Sequence, residues 1–232
     1  MMPTLVGSLR ARRLLADTIF TLLVVWTIVA VGLVSRTAYG RLRPRVGSAA
    51  AASPDWSAVP NWRDLGSRGY RMGSPASRTV AIVFSDFQCP YCRSLSFLID
   101  SLHRQSPTVE IVERHLPLVQ LHGEAMDAAL AAECSADVGR YGEMRHELFS
   151  KRGMVEDGDW GRLAQRAGVA DTSALVKCVA DRKHVSVVEA DMQAAKRIGI
   201  TGTPGIIVNG YLHQGSLSLA ALEKRLATAP AK

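Results

Sequence analysis

Cysteine is scarce in this 232-residue chain, four in all, and Cys134 and Cys178 each stand far from any other. No second close pair accompanies Cys89 and Cys92, and no two histidines stand at zinc-finger spacing. A structural zinc needs four ligands, usually drawn from two close pairs. That chemistry lacks its ligands here, and no metal is expected. Acids are scarce at the start, where residues 1–47 hold seven arginines and the single acid Asp17. Beyond that point 21 basic residues meet 20 acidic ones, so the formal charge of +7 belongs to the leading segment. No stripe of arginine and lysine interleaved with aromatics occurs, which excludes nucleic acid as a partner on electrostatic grounds.

Long apolar runs are missing except in one place. Thr18 to Ser35 is 18 residues without a charge, and as a helix it would rise about 27 Å, close to the hydrocarbon thickness of a bilayer. A cleaved signal peptide has a shorter apolar core with a small-residue cleavage site close behind. Here Ser35, Arg36 and Thr37 follow, and the alanines Ala49 to Ala52 lie well downstream. The expectation is an uncleaved transmembrane signal anchor over residues 14–35, preceded by a tail at 1–13. A buried soluble helix does not fit, because apolar residues cover every face. Arginines flank the span on both sides, so charge alone leaves its orientation undecided.

A chain of this length holds one sizeable domain. Residues 36–68 read as a flexible linker, since Gly47 to Asn61 is rich in Gly, Ala, Ser and Pro without apolar periodicity. The domain itself is expected over 69–232. A short strand fits Tyr70 to Met72, and the continuous apolar run Val80 to Phe84 suits a strand buried on both faces. From Pro90 the residues Leu95, Leu98, Ile99 and Leu102 recur at helical spacing, and Val109 to Val112 reads as the next strand. A helical block follows, with Asp171 or Thr172 as a cap. Gly205 to Asn209 returns to strand, Asn209-Gly210 signals a hairpin to Tyr211–Gln214, and a closing helix over Ser218–Ala227 would turn Leu219, Leu222 and Leu226 inward. This order predicts an α/β fold with its active turn at the carboxyl end of a central strand.

That turn carries FSDFQCPYC, Phe84 to Cys92. With Cys89 as helix N-cap, Pro90 is the first helical residue, where a missing N–H costs nothing. Tyr91 and Cys92 then supply the unpaired N–H donors of the first turn, aimed at the Cys89 sulfur. A thiolate gains there from hydrogen bonding and from the positive helix end. Cys89 is therefore expected to be the exposed nucleophile of lowered pKa, and Cys92 the more buried resolving cysteine. Zinc binding and an inert staple across the turn are the competing readings. Thr203-Pro204, between glycines at a strand start, is a candidate cis peptide whose backbone would pair with an extended substrate beside the dithiol.

FSDFQCPYC, ERHLPL at Glu113–Leu118 followed by His122, AALAAEC at Ala128–Cys134 and GITGTPGIIVNG at Gly199–Gly210 together resemble the DsbA-like thiol:disulfide oxidoreductases of the thioredoxin superfamily. Glutaredoxins share CPYC but have a much shorter interval before their cis-proline, whereas 111 residues separate Cys92 from Pro204 here. The resemblance implies a thioredoxin-like fold with a helical insertion at about 119–185, plus the N-terminal transmembrane helix. It implies Cys89 as the attacking cysteine, Cys92 as its partner, and Thr203 and Pro204 as the substrate-contacting loop. It further implies a single-pass protein of the cytoplasmic membrane with its catalytic domain outside, acting on exported, unfolded or partly folded proteins. Re-oxidation would come from a quinone-linked membrane protein, with no cofactor bound to the chain itself.

The pattern departs from the family at two points. Val83 stands where many relatives bury an acid that helps proton transfer, leaving Asp86 as a candidate for that task or for a capping role. Tyr91 replaces the histidine of the strongest oxidants, which predicts a milder one. Cys134 and Cys178 read either as free buried thiols or, in an oxidising compartment, as a structural disulfide of the kind some relatives carry. His115 and His122 read as structural or surface residues. The expected activity is a disulfide oxidase. A reductase or isomerase on the same fold and a tethered binding module are the alternatives.

Overall fold

The computed structural model describes residues 21–31, 55–105 and 108–228. Two compact units divide the chain, Met1–Ala52 and Ser53–Lys232. In the first, residues 21–31 form helix α1, and its side chains, including Leu22, Trp26 and Ile28, are exposed. Among the described residues no helix is long and apolar enough to cross a membrane. The expected span 14–35 overlaps α1 only in part. The expected tail at 1–13 and the linker up to residue 54 lie outside the described residues.

The second unit is built on a mixed sheet of six strands in the order β1-β6-β5-β3-β4-β2. These are β1 (Ser57–Ala58), β2 (Tyr70–Met72), β3 (Thr79–Ser85), β4 (Val109–His115), β5 (Gly205–Val208) and β6 (Tyr211–Gln214). Central β3 runs parallel to β4 and antiparallel to β5. Its alternating residues feed two cores, as a strand covered on both faces must. Ala81 and Val83 pack against Leu95 and Ile99 of α3 (Pro90–Gln105) and Leu222 of α10 (Leu219–Thr228). Val80, Ile82 and Phe84 pack on the opposite face with Ala194 and Ala195 of α9 (Val185–Arg197). Asn209 and Gly210 both take positive φ, 43° and 87°, which is the two-residue hairpin turn that matches strand twist. A side chain at Gly210 would strike the Trp62 indole, so the turn packs closely on α2 (Trp62–Leu65).

Helices α4 (Ala125–Ala136), α5 (Tyr141–Ser150), α6 (Arg152–Glu156), α7 (Trp160–Arg166) and α8 (Thr172–Ala180) form the insertion between β4 and α9. Their apolar faces make a third core, which takes in Phe87, Cys89 and Cys92 from the turn and helix that follow β3. Asp171 caps α8, accepting from Ala174 N. Cys134 on α4 and Cys178 on α8 form a disulfide with a Cα separation of 6.1 Å.

Three expectations need correction. The described part of the expected linker is not a linker, because Val59 and Leu65 are buried beneath the sheet and β1 pairs with β6. Those few apolar residues are too widely spaced to register as a period, yet each finds a pocket. Leu219 lies at the first position of α10 and is 37% exposed, leaving the core to Leu222 with Leu226 packed against it. Strand β4 continues three residues past Val112 to His115, because the buried Glu113, Arg114 and His115 are each neutralised or hydrogen-bonded.

Candidate active site

β3 ends at Ser85 in the middle of the sheet, and α3 begins at Pro90, so residues 86–89 make the turn between them. Asp86 O accepts from Cys89 N at 3.1 Å, and Cys89 O accepts from Arg93 N at 3.1 Å. The second bond is the first of the helix, which makes Cys89 the N-cap and Pro90 the opening residue. On the neighbouring strand Gly205 pairs with Phe84, so the residues just before β5 sit over those just after β3. There the Thr203-Pro204 peptide is cis, and Cys89 Sγ donates to Thr203 O at 3.5 Å.

Both active-turn cysteines are free thiols, and their environments push them in opposite directions. The Cys89 thiol is lowered to about 5, chiefly by a hydrogen bond from Cys92, which outweighs the opposing effect of burial. Thr203 and the N–H groups of Cys92 and Tyr91 add smaller contributions. Cys92 is pushed far above the usual thiol range by burial, and then by the adjacent Cys89 sulfur. The N–H groups of the helix end are thus a lesser cause than the partner thiol. The expected exposure of Cys89 is also corrected. The residue is 4% exposed, lying under Thr203 and packed with the insertion core, while Tyr91 beside it is 59% exposed.

Asp86 is buried, and its side chain is fully engaged. Oδ1 accepts from Gln88 N at 2.8 Å, and Oδ2 meets Leu118 N and His122 Nδ1 at 2.8 Å each. Gln88 Oε1 in turn accepts from Glu124 N at 2.7 Å. These bonds fasten the start of the insertion to the active turn. Toward the dithiol Asp86 presents its backbone, with its N–H donating to Cys92 Sγ at 3.4 Å. Among the described residues no hydrogen bond joins the Asp86 carboxylate to either sulfur.

Other partnerships were not legible beforehand. Arg145 on α5 pairs with Glu113 of β4 and, at 2.9 Å, with Asp100 of α3. Arg114, on the other face of β4, holds Asp191 of α9 and Leu65 O. His115 pairs with Glu133 at 2.8 Å. Burial alone would lower its pKa, but the Glu133 hydrogen bond and charge raise it. Three charged residues ending an apolar strand were the available signal. Cys134, Cys178 and His184 place ligand atoms within 4.8 Å of one another. Both sulfurs are spent in the disulfide, which leaves a single nitrogen.

A family model described as thioredoxin matches residues 67–227. The chain belongs to this thioredoxin family. The chain is 31% identical over 162 residues to the Na(+)/H(+) antiporter NhaA 3 of Salinispora tropica, covering 70% of this chain and 25% of the antiporter. It is 33% identical over 162 residues to NhaA 1 of Mycolicibacterium gilvum, covering 68% and 26%. The chain thus spans about a quarter of the length of these curated relatives. Among solved structures, a thioredoxin-like oxidoreductase from Silicibacter pomeroyi DSS-3 is 26% identical with a TM-score of 0.63, over 69% of this chain and 91% of that one. Oxidised BdbD from Bacillus subtilis is 20% identical with a TM-score of 0.64, over 75% and 98%. The thiol-disulfide exchange protein alpha-DsbA2 from Wolbachia pipientis is 17% identical with a TM-score of 0.59, over 72% and 90%. The last two establish likeness of fold.

Proposed function

We propose that the chain is a thiol-disulfide oxidoreductase, working as an oxidase that passes the Cys89–Cys92 disulfide to exported proteins. The observation that carries this reading is the opposed pair of thiols, Cys89 lowered to about 5 and Cys92 pushed far up. A dithiol with one sulfur already ionised favours its reduced form, and its disulfide is the better oxidant. A substrate thiolate attacks Cys89 Sγ, the Cys89–Cys92 bond breaks, and Cys92 leaves and takes up a proton. A second substrate thiolate then attacks the substrate sulfur of the mixed disulfide. Cys89 departs as a stable thiolate, and the substrate keeps the new bond. Thr203 O, 3.5 Å from Cys89 Sγ, is the backbone acceptor that an extended substrate would take up, with Pro204 fixing the loop.

We place this domain outside the cytoplasmic membrane, tethered through residues 14–35. Support comes from the uncharged stretch Thr18–Ser35 and from the exposed apolar side chains of α1. The antiporter names of the curated relatives put a similar domain in a membrane protein. The structural disulfide Cys134–Cys178 suits an oxidising compartment. A quinone-linked membrane protein would return the pair to its oxidised state.

The test is a Cys92→Ser variant whose Cys89 is first loaded with oxidised glutathione, so that a thiolate of a reduced exported protein can attack Cys89 Sγ and displace glutathione, and from which mixed disulfides are captured. Exported proteins joined through Cys89 are the expected result. A folded variant that collects none refutes the exchange mechanism. A glutathione equilibrium placing the couple near cytosolic thioredoxins would reverse the direction to reductase.

A further inference from the structure

We propose that Asp86 is a positioning residue for Cys92 and acts through its own backbone rather than by carrying a proton. The proposal rests on the oxidoreductase reading above. Asp86 touches both cysteines by main chain alone, its O accepting from Cys89 N at 3.1 Å and its N–H donating to Cys92 Sγ at 3.4 Å. A carboxylate that shuttled protons would need a free oxygen facing a sulfur. Here Oδ1 holds Gln88 N, and Oδ2 holds Leu118 N and His122 Nδ1, all at 2.8 Å. The side chain is an anchor on three sides, and what it anchors is the peptide group aimed at Cys92.

The dithiol form shows Cys92 Sγ in the reduced state that it first reaches when a substrate thiolate opens the disulfide. In that step the S–S bond between Cys89 and Cys92 breaks, a substrate–Cys89 bond forms, and the electron pair passes to Cys92 Sγ. Proton uptake from water completes it. Cys92 is buried, so charge developing on its sulfur meets little water, and a backbone N–H fixed beforehand stabilises it without reorganising. The Asp86 N–H is among the groups that pull the Cys92 thiol down against burial. The Asp86 bond to Cys89 goes to the backbone N–H rather than the sulfur, and the Cys92 thiol that chiefly lowers Cys89 is carried by α3. The two sulfurs should therefore respond differently when the anchor is cut.

His122 is the outermost part of the anchor, its side chain 22% exposed, and it reaches Asp86 from the loop that opens the insertion. Replacing it loosens one of the three holds while leaving the core intact.

The experiment uses the oxidised full-length chain as wild type, Asp86→Asn and His122→Asn, reacted with a peptide carrying one cysteine. Formation of the mixed disulfide is followed by acid quench and mass shift. Asparagine keeps the shape but cannot accept at both ends, so Asp86→Asn should react about tenfold more slowly, the scale of one hydrogen bond to a charged sulfur. His122→Asn should lose about threefold, a fraction of that effect. In the reduced variants the Cys89 thiolate should still titrate at about 5. Unchanged rates overturn the proposal. So does a shift of the Cys89 midpoint in step with the rate, because that marks general loosening of the turn. Should Asp86→Asn fail to fold by circular dichroism, His122→Asn decides by the same two readouts. Wild type that exchanges no disulfide with the peptide refutes the function itself, whereas active wild type with equal variants refutes only the positioning role.

Discussion

The reduction potential of the Cys89–Cys92 couple should fall with two different slopes as pH rises, breaking at the Cys89 titration near about 5. Below the break, reduction consumes two electrons and two protons, so the potential falls by about 60 mV per pH unit. Above it, Cys89 remains a thiolate and only Cys92 takes a proton, and the slope halves to about 30 mV. The raised Cys92 thiol keeps that slope through the alkaline range. An ordinary thiol with the reference value of 9.0 would hold the steeper slope well past neutrality. At pH 7 it would be about 1% ionised, against about 99% for Cys89, which stabilises the reduced form roughly a hundredfold. That factor raises the potential by about 60 mV and is the energetic content of the oxidase proposal. The assay is equilibration with glutathione or dithiothreitol at a series of pH values, followed by quench, alkylation and mass measurement. A single steep slope from acid to mildly alkaline pH would refute the reasoning, because Cys89 would then be protonated at neutrality.

Because the Cys92 thiol is the chief cause of the lowered Cys89 pKa, Cys92→Ala should raise the Cys89 midpoint by about one to two units, the worth of a hydrogen bond to an ion, read by thiolate absorbance against pH. Opening the Cys134–Cys178 disulfide with a double alanine change releases a loop of sequence separation 44. Chain entropy then predicts a loss of about 4 kcal/mol in a denaturant titration. Arg145→Ala leaves Glu113 buried without its counter-charge and should lose about 3–5 kcal/mol in the same assay. His115 has its folded pKa raised above 6.5, so its pairing with Glu133 stabilises fully below that pH and fades as pH rises through the folded value. The stability gap between wild type and His115→Asn, measured across pH, should narrow toward alkaline conditions.

Local signals carried the dithiol, its helix cap and the Asn209-Gly210 hairpin into the sequence, since each depends on residues a few positions apart. The opposing loop was marked by Thr203-Pro204 between glycines at a strand start and by the resemblance, though nothing near Thr203 names its partner across the sheet. What stayed hidden was long-range. The bond from Asp86 to His122, and the hold of Arg145 on both Glu113 and Asp100, join residues whose meeting depends on how the insertion folds back. The low exposure of Cys89 was missed for the same reason, as its cover comes from the insertion core and from Thr203, more than a hundred residues away. Sparse anchors such as Val59 and Leu65 likewise carry no period, and only the completed sheet shows where they go.

The sheet is bounded by its two shortest strands, β1 with two residues and β2 with three. Margins so brief offer an outside chain few consecutive main-chain partners, so they discourage the edge-to-edge growth that leads to aggregation. For a protein proposed to handle partly unfolded clients, that brevity keeps encounters at the sulfur end. A client can be joined there, oxidised and released without being recruited into the scaffold.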